Sequence, residues 1–231
     1  MTHTLLLVGS PRGRKSTSTS LANHLAAQLQ EKAQTTETLW ITEQLASPEK
    51  TKHMMDSIQK AHTIVLTAPL YDDSQPYIVT KTMELMEAQK NLEGKRFIPI
   101  INNGFPQPEQ ITHSAIPIYK LFAAKTGLNW IGSLAIGAGE GLQGATGKSL
   151  HEAGGAANTV IAELQKIAEA ISTDTTYHDN ETWIIPQFML KPLLRDIIIW
   201  INNKSWKTMA KKNGENVDAK PYIEYTPKTP I

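Results

Sequence analysis

The sequence predicts an α/β protein in three layers: a five-stranded parallel sheet with helices on both faces. Short apolar runs alternate with stretches of helical periodicity through residues 4–172, the pattern that parallel βαβ connections produce. The loops after the first, third and fourth runs carry the serines, asparagines, glycines and prolines suited to meeting a ligand. In such sheets the ligand sits at the carboxyl ends of the strands, beside the switch point.

Each element has its own signal. Thr4–Val8 is the first strand, three leucines closed by a valine. Leu21, Leu25 and Leu29 recur at four-residue spacing and give the first helix one buried face. Glu37–Thr42, around Leu39, Trp40 and Ile41, is the second strand. A polar helical stretch around Met54, Met55 and Ile58 leads to the third, Thr63–Ala68, which ends at Pro69. Helical pattern resumes over Tyr77–Gln89. Phe97–Ile101 is the fourth strand; Pro99 inside it has no N–H for a ladder bond, so a bulge or unpaired position is expected there. A helix over His113–Ala124, a fifth strand over Trp130–Ile136 and a helix marked by Val160, Leu164, Ile167 and Ile171 complete the alternation.

From Thr173 the pattern changes. Residues 173–181 are polar. Trp183–Ile201 is apolar but interrupted by Pro186, Lys191, Pro192, Arg195 and Asp196, and Lys204, Lys207, Lys211 and Lys212 follow. The expected organisation is a ligand-binding domain over 1–172 and a C-terminal extension over 173–231, with an amphipathic segment and a tail containing Pro221, Pro227 and Pro230.

Composition narrows the classes. A chain of 231 residues holds one α/β domain with a sizeable core. Its 23 basic and 22 acidic residues leave a formal charge of +1, which gives no reason to expect nucleic acid. It has no cysteine. That excludes disulfides, thiolate-held clusters and a thiol nucleophile, and it fits a reducing cytoplasm. Met1-Thr2-His3-Thr4 lacks the basic region and long apolar core of a signal peptide. Trp183–Ile201 is too charged and too broken by proline to span a membrane, which takes about 20 largely uncharged residues. It reads as a segment packed on the domain or on a second subunit. A large exposed apolar patch is uncommon on monomers, so a homodimer or tetramer is expected.

The first strand runs into an anion cradle. Gly9-Ser10-Pro11-Arg12-Gly13-Arg14-Lys15-Ser16-Thr17-Ser18 joins it to the first helix. Unpaired N–H groups and the positive dipole end of a helix favour an anion at that position. The hydroxyls of Ser10, Ser16, Thr17 and Ser18 add donors and Arg12 adds charge, which suits a terminal phosphate. Gly141-Leu142-Gln143-Gly144-Ala145-Thr146-Gly147-Lys148-Ser149 imitates a nucleotide P-loop, but Leu142 stands where the first glycine belongs, and the segment follows the fifth strand. It reads as a loop near the ligand. The seven histidines show no metal-ligand spacing.

Three loops then occur in order: Gly9-Ser10-Pro11-Arg12 with Ser16-Thr17-Ser18, Ala68-Pro69-Leu70-Tyr71 with Pro76, and Asn103-Gly104-Phe105-Pro106. Together they resemble the NADPH-dependent FMN reductase family, flavodoxin-like NAD(P)H oxidoreductases related to the iron–sulfur flavoproteins. The resemblance covers residues 4–172, and Ile185–Gly214 resembles C-terminal extensions of some members. The missing cysteines depart from the cluster-bearing relatives, so a cluster does not carry over.

The resemblance implies a flavodoxin-like fold and bound FMN. Ser10, Arg12, Ser16, Thr17 and Ser18 would hold the phosphate, with Arg14 and Lys15 solvated. On the residues alone, the serines also read as helix caps. Pro69, Leu70 and Tyr71 would lie along the ring and ribityl chain, Tyr71 offering a flat apolar face; alone they read as a turn ending a strand. Asn102, Asn103, Gly104 and Phe105 would supply hydrogen bonds to the pyrimidine edge; alone they read as an Asn-Gly turn. Asp72 and Asp73 read as a solvated turn. The implied activity passes electrons from NADH or NADPH through FMN to a small-molecule acceptor: a quinone, an azo or nitro compound, or free flavin. The alternative is a flavodoxin-type electron carrier or a non-catalytic FMN-binding protein.

Overall fold

The computed structural model describes residues 3–89, 91–105, 108–142, 149–185 and 192–215, in two units, Met1–Gln187 and Phe188–Ile231. The first unit is built on parallel strands: β1 (His3–Val8), β2 (Thr35–Trp40), β3 (Thr63–Pro69), β4 (Arg96–Asn102), β5 (Asn129–Trp130), β6 (Ser133–Ile136) and β7 (Thr182–Ile185). Their order is β2-β1-β3-β4-β6-β7, with β5 also paired to β4. Every pairing of these strands is parallel.

Side-chain alternation builds two cores. Leu5 and Leu7 of β1 enter one, with Ile64 and Leu66 of β3 and Phe97 and Ile101 of β4. Leu6 and Val8 enter the other, with Val65, Ile98 and Ile100. The first core is covered by α3 (Pro48–Lys60), α4 (Tyr77–Gln89) and α5 (Ile116–Thr126), through Met54, Ile58, Val79, Met86, Tyr119 and Phe122. The second is covered by α1 (Thr17–Glu31) and α6 (Asn158–Ser172), through Leu21, Leu25, Leu29, Val160, Leu164 and Ile167. Each buried leucine or isoleucine contributes about 1.5–3 kcal/mol. The three-layer, flavodoxin-like class is therefore observed. A short α2 (Ile41–Gln44) follows β2 directly, where the sequence had suggested two more strand residues.

The strand count differs from five for two reasons. The fifth strand is broken into β5 and β6 at Ile131 and Gly132. Gly132 has φ +124, and a Cβ there would lie 2.5 Å from the Tyr177 carbonyl oxygen. Tyr177 N donates to Ile131 O at 2.7 Å, so an incoming chain occupies the gap. Pro99 faces the same side: Phe97 O accepts from Ile131 N at 3.1 Å, and the next position toward that neighbour, Pro99, has no N–H to give. Pairing of β4 resumes with β6 at Ile100. The expected unpaired position is thus part of a designed break. On the β3 side, Pro99 keeps its register opposite Leu66.

The second difference is β7. It lies within the apolar segment that had been placed in the extension, and it pairs with β6 from Ser133↔Thr182 to Ile136↔Ile185. Ile185 is buried in the second core. The sheet thus runs past the expected boundary at 172/173, to Ile185, and its unit runs to Gln187.

Two buried charges tie this end of the sheet. The Arg96 guanidinium donates to the carbonyls of Ala170, Ile171 and Thr175, satisfying the end of α6, and meets Asp174 at 3.1 Å. Burial pushes the Arg96 pKa down, and Asp174 opposes the shift. The Glu163 carboxylate accepts from Tyr177 Oη at 2.9 Å, His178 Nε2 at 2.9 Å and Lys166 Nζ at 2.8 Å. Burial alone would raise its pKa, but these three donors outweigh burial and hold it below the ordinary value.

In the second unit, α7 (Pro192–Lys212) is the described element. Trp200, Ile201, Trp206 and Met209 are exposed on it. The expected amphipathic segment Trp183–Ile201 is thus divided between β7 and the first half of α7, with 186–191 outside the described residues. No helix among the described residues is long and apolar enough to cross a membrane. Residues 143–148 of the P-loop imitation and the tail from 216 also lie outside the described residues.

Candidate functional site

The loops after β1, β3 and β4 meet at the carboxyl edge of the sheet, in a cleft of about 210 Å³. Ser10, Arg12, Ser16, Thr17, Ser18, Pro69, Leu70, Tyr71, Asn102, Asn103 and Gly104 line it. These are eleven of the twelve residues expected from sequence. Phe105 is outside this lining: its side chain is 64 % exposed, while its carbonyl accepts from Ala138 N.

The β1–α1 loop is shaped by its own hydroxyls. A turn closes with Gly13 N donating to Ser10 O at 2.9 Å. Ser16 caps α1: its Oγ accepts from Thr19 N at 3.2 Å and donates to Gly13 O at 2.7 Å. Thr19 Oγ1 donates to the same carbonyl at 2.9 Å. This cap starts α1 at Thr17, four residues before the apolar periodicity shows. Thr19 N and Ser20 N turn back to Ser16 O. The amides of Thr17 and Ser18 are the first two of the helix, which have no intrahelical acceptor.

The four cradle hydroxyls therefore divide. Ser16 holds the cap, and Thr17 Oγ1 donates to Gly139 O at 2.9 Å. Ser10 Oγ accepts from Arg12 N at 3.3 Å, and Ser18 Oγ accepts from Asn102 Nδ2 at 3.2 Å. In those bonds Ser10 and Ser18 are acceptors, so each keeps its proton to donate toward an anion. Of the nearby cations, Arg14 is engaged elsewhere. It makes a forked pair with Glu43 at 2.7 and 2.9 Å and stacks 3.7 Å from the Trp40 ring centre. Arg14 was expected to be simply solvated; it is exposed and braces the outside of the loop. Trp40 Nε1 donates to Thr19 Oγ1 at 3.0 Å and ties β2 to the cap. Arg12 is exposed and lines the cleft.

The other walls are equally specific. Tyr71 and Ser74 exchange backbone hydrogen bonds around Asp72 and Asp73, both at positive φ, so the expected turn is a tight two-residue one. Tyr71 stands at the mouth, 44 % exposed. Asn102 is buried, and its Nδ2 also donates to Ala68 O at 3.2 Å. Among the described residues beyond its chain neighbours, nothing lies within 4 Å of a Cβ on Gly104.

The loop after β6, expected near the ligand, braces the cleft through contacts that its sequence did not name. Gly139 N donates to Asn103 O at 2.7 Å, and a Cβ on Gly139 would lie 2.6 Å from Asn102 Oδ1. Only glycine allows that approach. The density of glycines over 137–141 was the available signal. Among the described residues no group of acidic or histidine side chains is arranged to hold a metal.

The family model for NADPH-dependent FMN reductase matches residues 2–127, more than half of the chain. No curated protein matches. Several solved structures share the fold. An NADH:FMN oxidoreductase (EMOB, apo form) aligns with a TM-score of 0.60 and 16 % identity, over 78 % of this chain and 96 % of that one. An FMN-dependent NADH-azoreductase of Bacillus anthracis str. Ames Ancestor, solved with FMN, aligns at 0.54 and 15 %, over 74 % and 100 %. A flavodoxin of Streptococcus pneumonia TIGR4 aligns at 0.54 and 12 %, over 76 % and 100 %. Identities this low speak for fold.

Proposed function

Because the chain belongs to the NADPH-dependent FMN reductase family, we propose that it is an FMN-dependent NAD(P)H oxidoreductase whose acceptor is a quinone, an azo or nitro compound, or free flavin. The observation that carries this reading is the meeting of three loops in one cleft, eleven expected residues together at the ligand edge of the sheet.

The residues fit FMN. Ser10, Ser18, the first turn of α1 and Arg12 line the same cleft, which would suit a phosphate. The cleft is below the roughly 300 Å³ at which drug-sized ligand pockets begin. A molecule as large as FMN would fill it and extend over the mouth, past Tyr71 and Gly104. FMN, when bound, would supply the redox chemistry, accepting electrons from NADH or NADPH and passing them on. The chain's part is positional. Ser10, Ser18 and Arg12 would anchor the phosphate. Pro69, Leu70 and Tyr71 would wall the ring, and the backbone at Asn102–Gly104 would meet its polar edge. No side-chain acid or base is assigned, since the reading requires none. We further propose a homodimer or tetramer, supported by exposed Trp183 and Ile184 on edge strand β7, and a cytoplasmic location, supported by the absence of cysteine.

The test is an absorbance spectrum after adding FMN and desalting, followed by anaerobic NADPH or NADH. Retained flavin that bleaches on either nucleotide is the expected result. Retained flavin that ignores both would point to an electron carrier. A protein that retains no flavin would remove the assignment of the cleft.

A further inference from the structure

Helix α7 presents a lysine face and an aromatic face that the flavin reading does not use. Lys204, Lys207 and Lys211 fall at i, i+3 and i+7, and with Trp200 they line one shallow surface. Lys204 Nζ stands 5.0 Å from the Trp200 ring centre. Trp206 and Met209, three residues apart, are 66 % and 45 % exposed; helical periodicity puts them across the helix from those lysines. Trp206 and Met209 on one side and lysines on the other, with Trp200 among the lysine stems, suit a helix lying in a bilayer interface. There the aromatic rings sit at headgroup level, and the lysine stems run along the apolar layer to reach the phosphates.

The charge distribution names the occupant. Residues 1–187 hold 15 basic and 18 acidic side chains, a formal −3; residues 188–231 hold 8 and 4, a formal +4. An anionic surface therefore attracts the second unit and repels the first. A two-fold pair of α7 helices fits less well, because an isologous contact on this face brings lysine against lysine. A groove on another protein reads anchors at i, i+3 or i+4, and i+7, whereas over 203–212 the exposed large apolar residues are Trp206 and Met209.

We propose that α7 docks the protein on the surface of a bilayer containing anionic lipid, with Lys204, Lys207, Lys211 and Lys212 over the headgroup phosphates and Trp206 and Met209 in the apolar margin. The helix lies on the membrane and does not cross it. Docking is independent of the flavin reading; together they would put the reductase where lipid-soluble quinones reside.

The test sediments the full chain with vesicles of phosphatidylcholine, alone or mixed with phosphatidylglycerol, and follows tryptophan emission. Binding to the mixed vesicles only, with a blue shift and loss on adding salt, is expected. Lys204→Gln with Lys207→Gln and Lys211→Gln should lower partitioning roughly a hundredfold, at about fivefold per lysine. Equal partitioning to both vesicles, no binding, or a triple variant that binds like the wild type overturns the proposal. So does a wild type that ignores vesicles while the triple variant splits an oligomer in their absence, which would give this face to a second copy. NADPH oxidation with a soluble acceptor, measured on the same samples, reports on the flavin reading separately.

Discussion

At the residue scale, the cradle separates hydroxyls that build the loop from hydroxyls free to donate. Ser10→Ala and Ser18→Ala should each weaken FMN binding by about 1–3 kcal/mol, the scale for a lost hydrogen bond to a charged group; Ser18→Ala should also lower the melting temperature, because Asn102 Nδ2 loses an acceptor. Ser16→Ala should instead lower stability by about 1 kcal/mol through the lost cap. Fluorescence titration with FMN and thermal unfolding of the three variants read the difference; equal effects of all three on affinity alone would contradict the division. A second residue-scale prediction concerns Glu163. Its carboxyl is held below its ordinary 4.5 by three donors. A carboxyl depressed in the fold stabilises it above the unfolded pKa and gives that stability up as pH falls through the folded value. Glu163→Gln should therefore cost about 1–3 kcal/mol at neutral pH and flatten the acid limb of the stability profile below about pH 4.5. Denaturant unfolding across that range checks it, and an unaltered acid limb would rule it out.

At the element scale, the central strands were legible because burial on both faces leaves an unmixed apolar run, as in Leu5–Val8 and Ile64–Leu66. The cleft was legible for a related reason: the edge at which loops gather follows from strand order, and those loops carry polar residues that a core would not tolerate. What was hidden depended on distant partners. The break at Gly132 exists because Tyr177 enters it, and the role of Thr17 depends on a carbonyl at Gly139. Strand β7 has only four residues inside a longer apolar segment, so no change of pattern announces its end. Its place in the sheet yields a prediction. A chain ending at Thr173 loses Tyr177 and Ile185, both buried, each worth about 1.5–3 kcal/mol, and uncovers β6. It should unfold early or aggregate. A chain ending at Gln187 should keep a cooperative transition and FMN binding. Similar melting curves for the two would mean that β7 adds nothing.

At the scale of the whole molecule, the units differ in charge and in what they expose. The first shows Trp183 and Ile184 on its last strand, 41 % and 43 % exposed, and an uncovered strand edge invites pairing. Sedimentation should give a dimer or tetramer, and Ile184→Lys should shift it toward monomer; an unchanged mass would move the contact elsewhere. Trp183 is the poorer choice for that substitution because its ring stacks on His178 at 4.1 Å, so its loss would disturb the Glu163 cluster as well.

The late position of β7 also sets a schedule for synthesis. β6 ends at Ile136 and its partner at Ile185. At 5–20 residues per second, roughly 2–10 s separate the two on a translating ribosome. For that interval Leu134 and Ile136 form an apolar edge without its neighbour, the form of nascent chain most open to capture by chaperones or by another copy. Residues 173–181, polar apart from Tyr177, lengthen that delay.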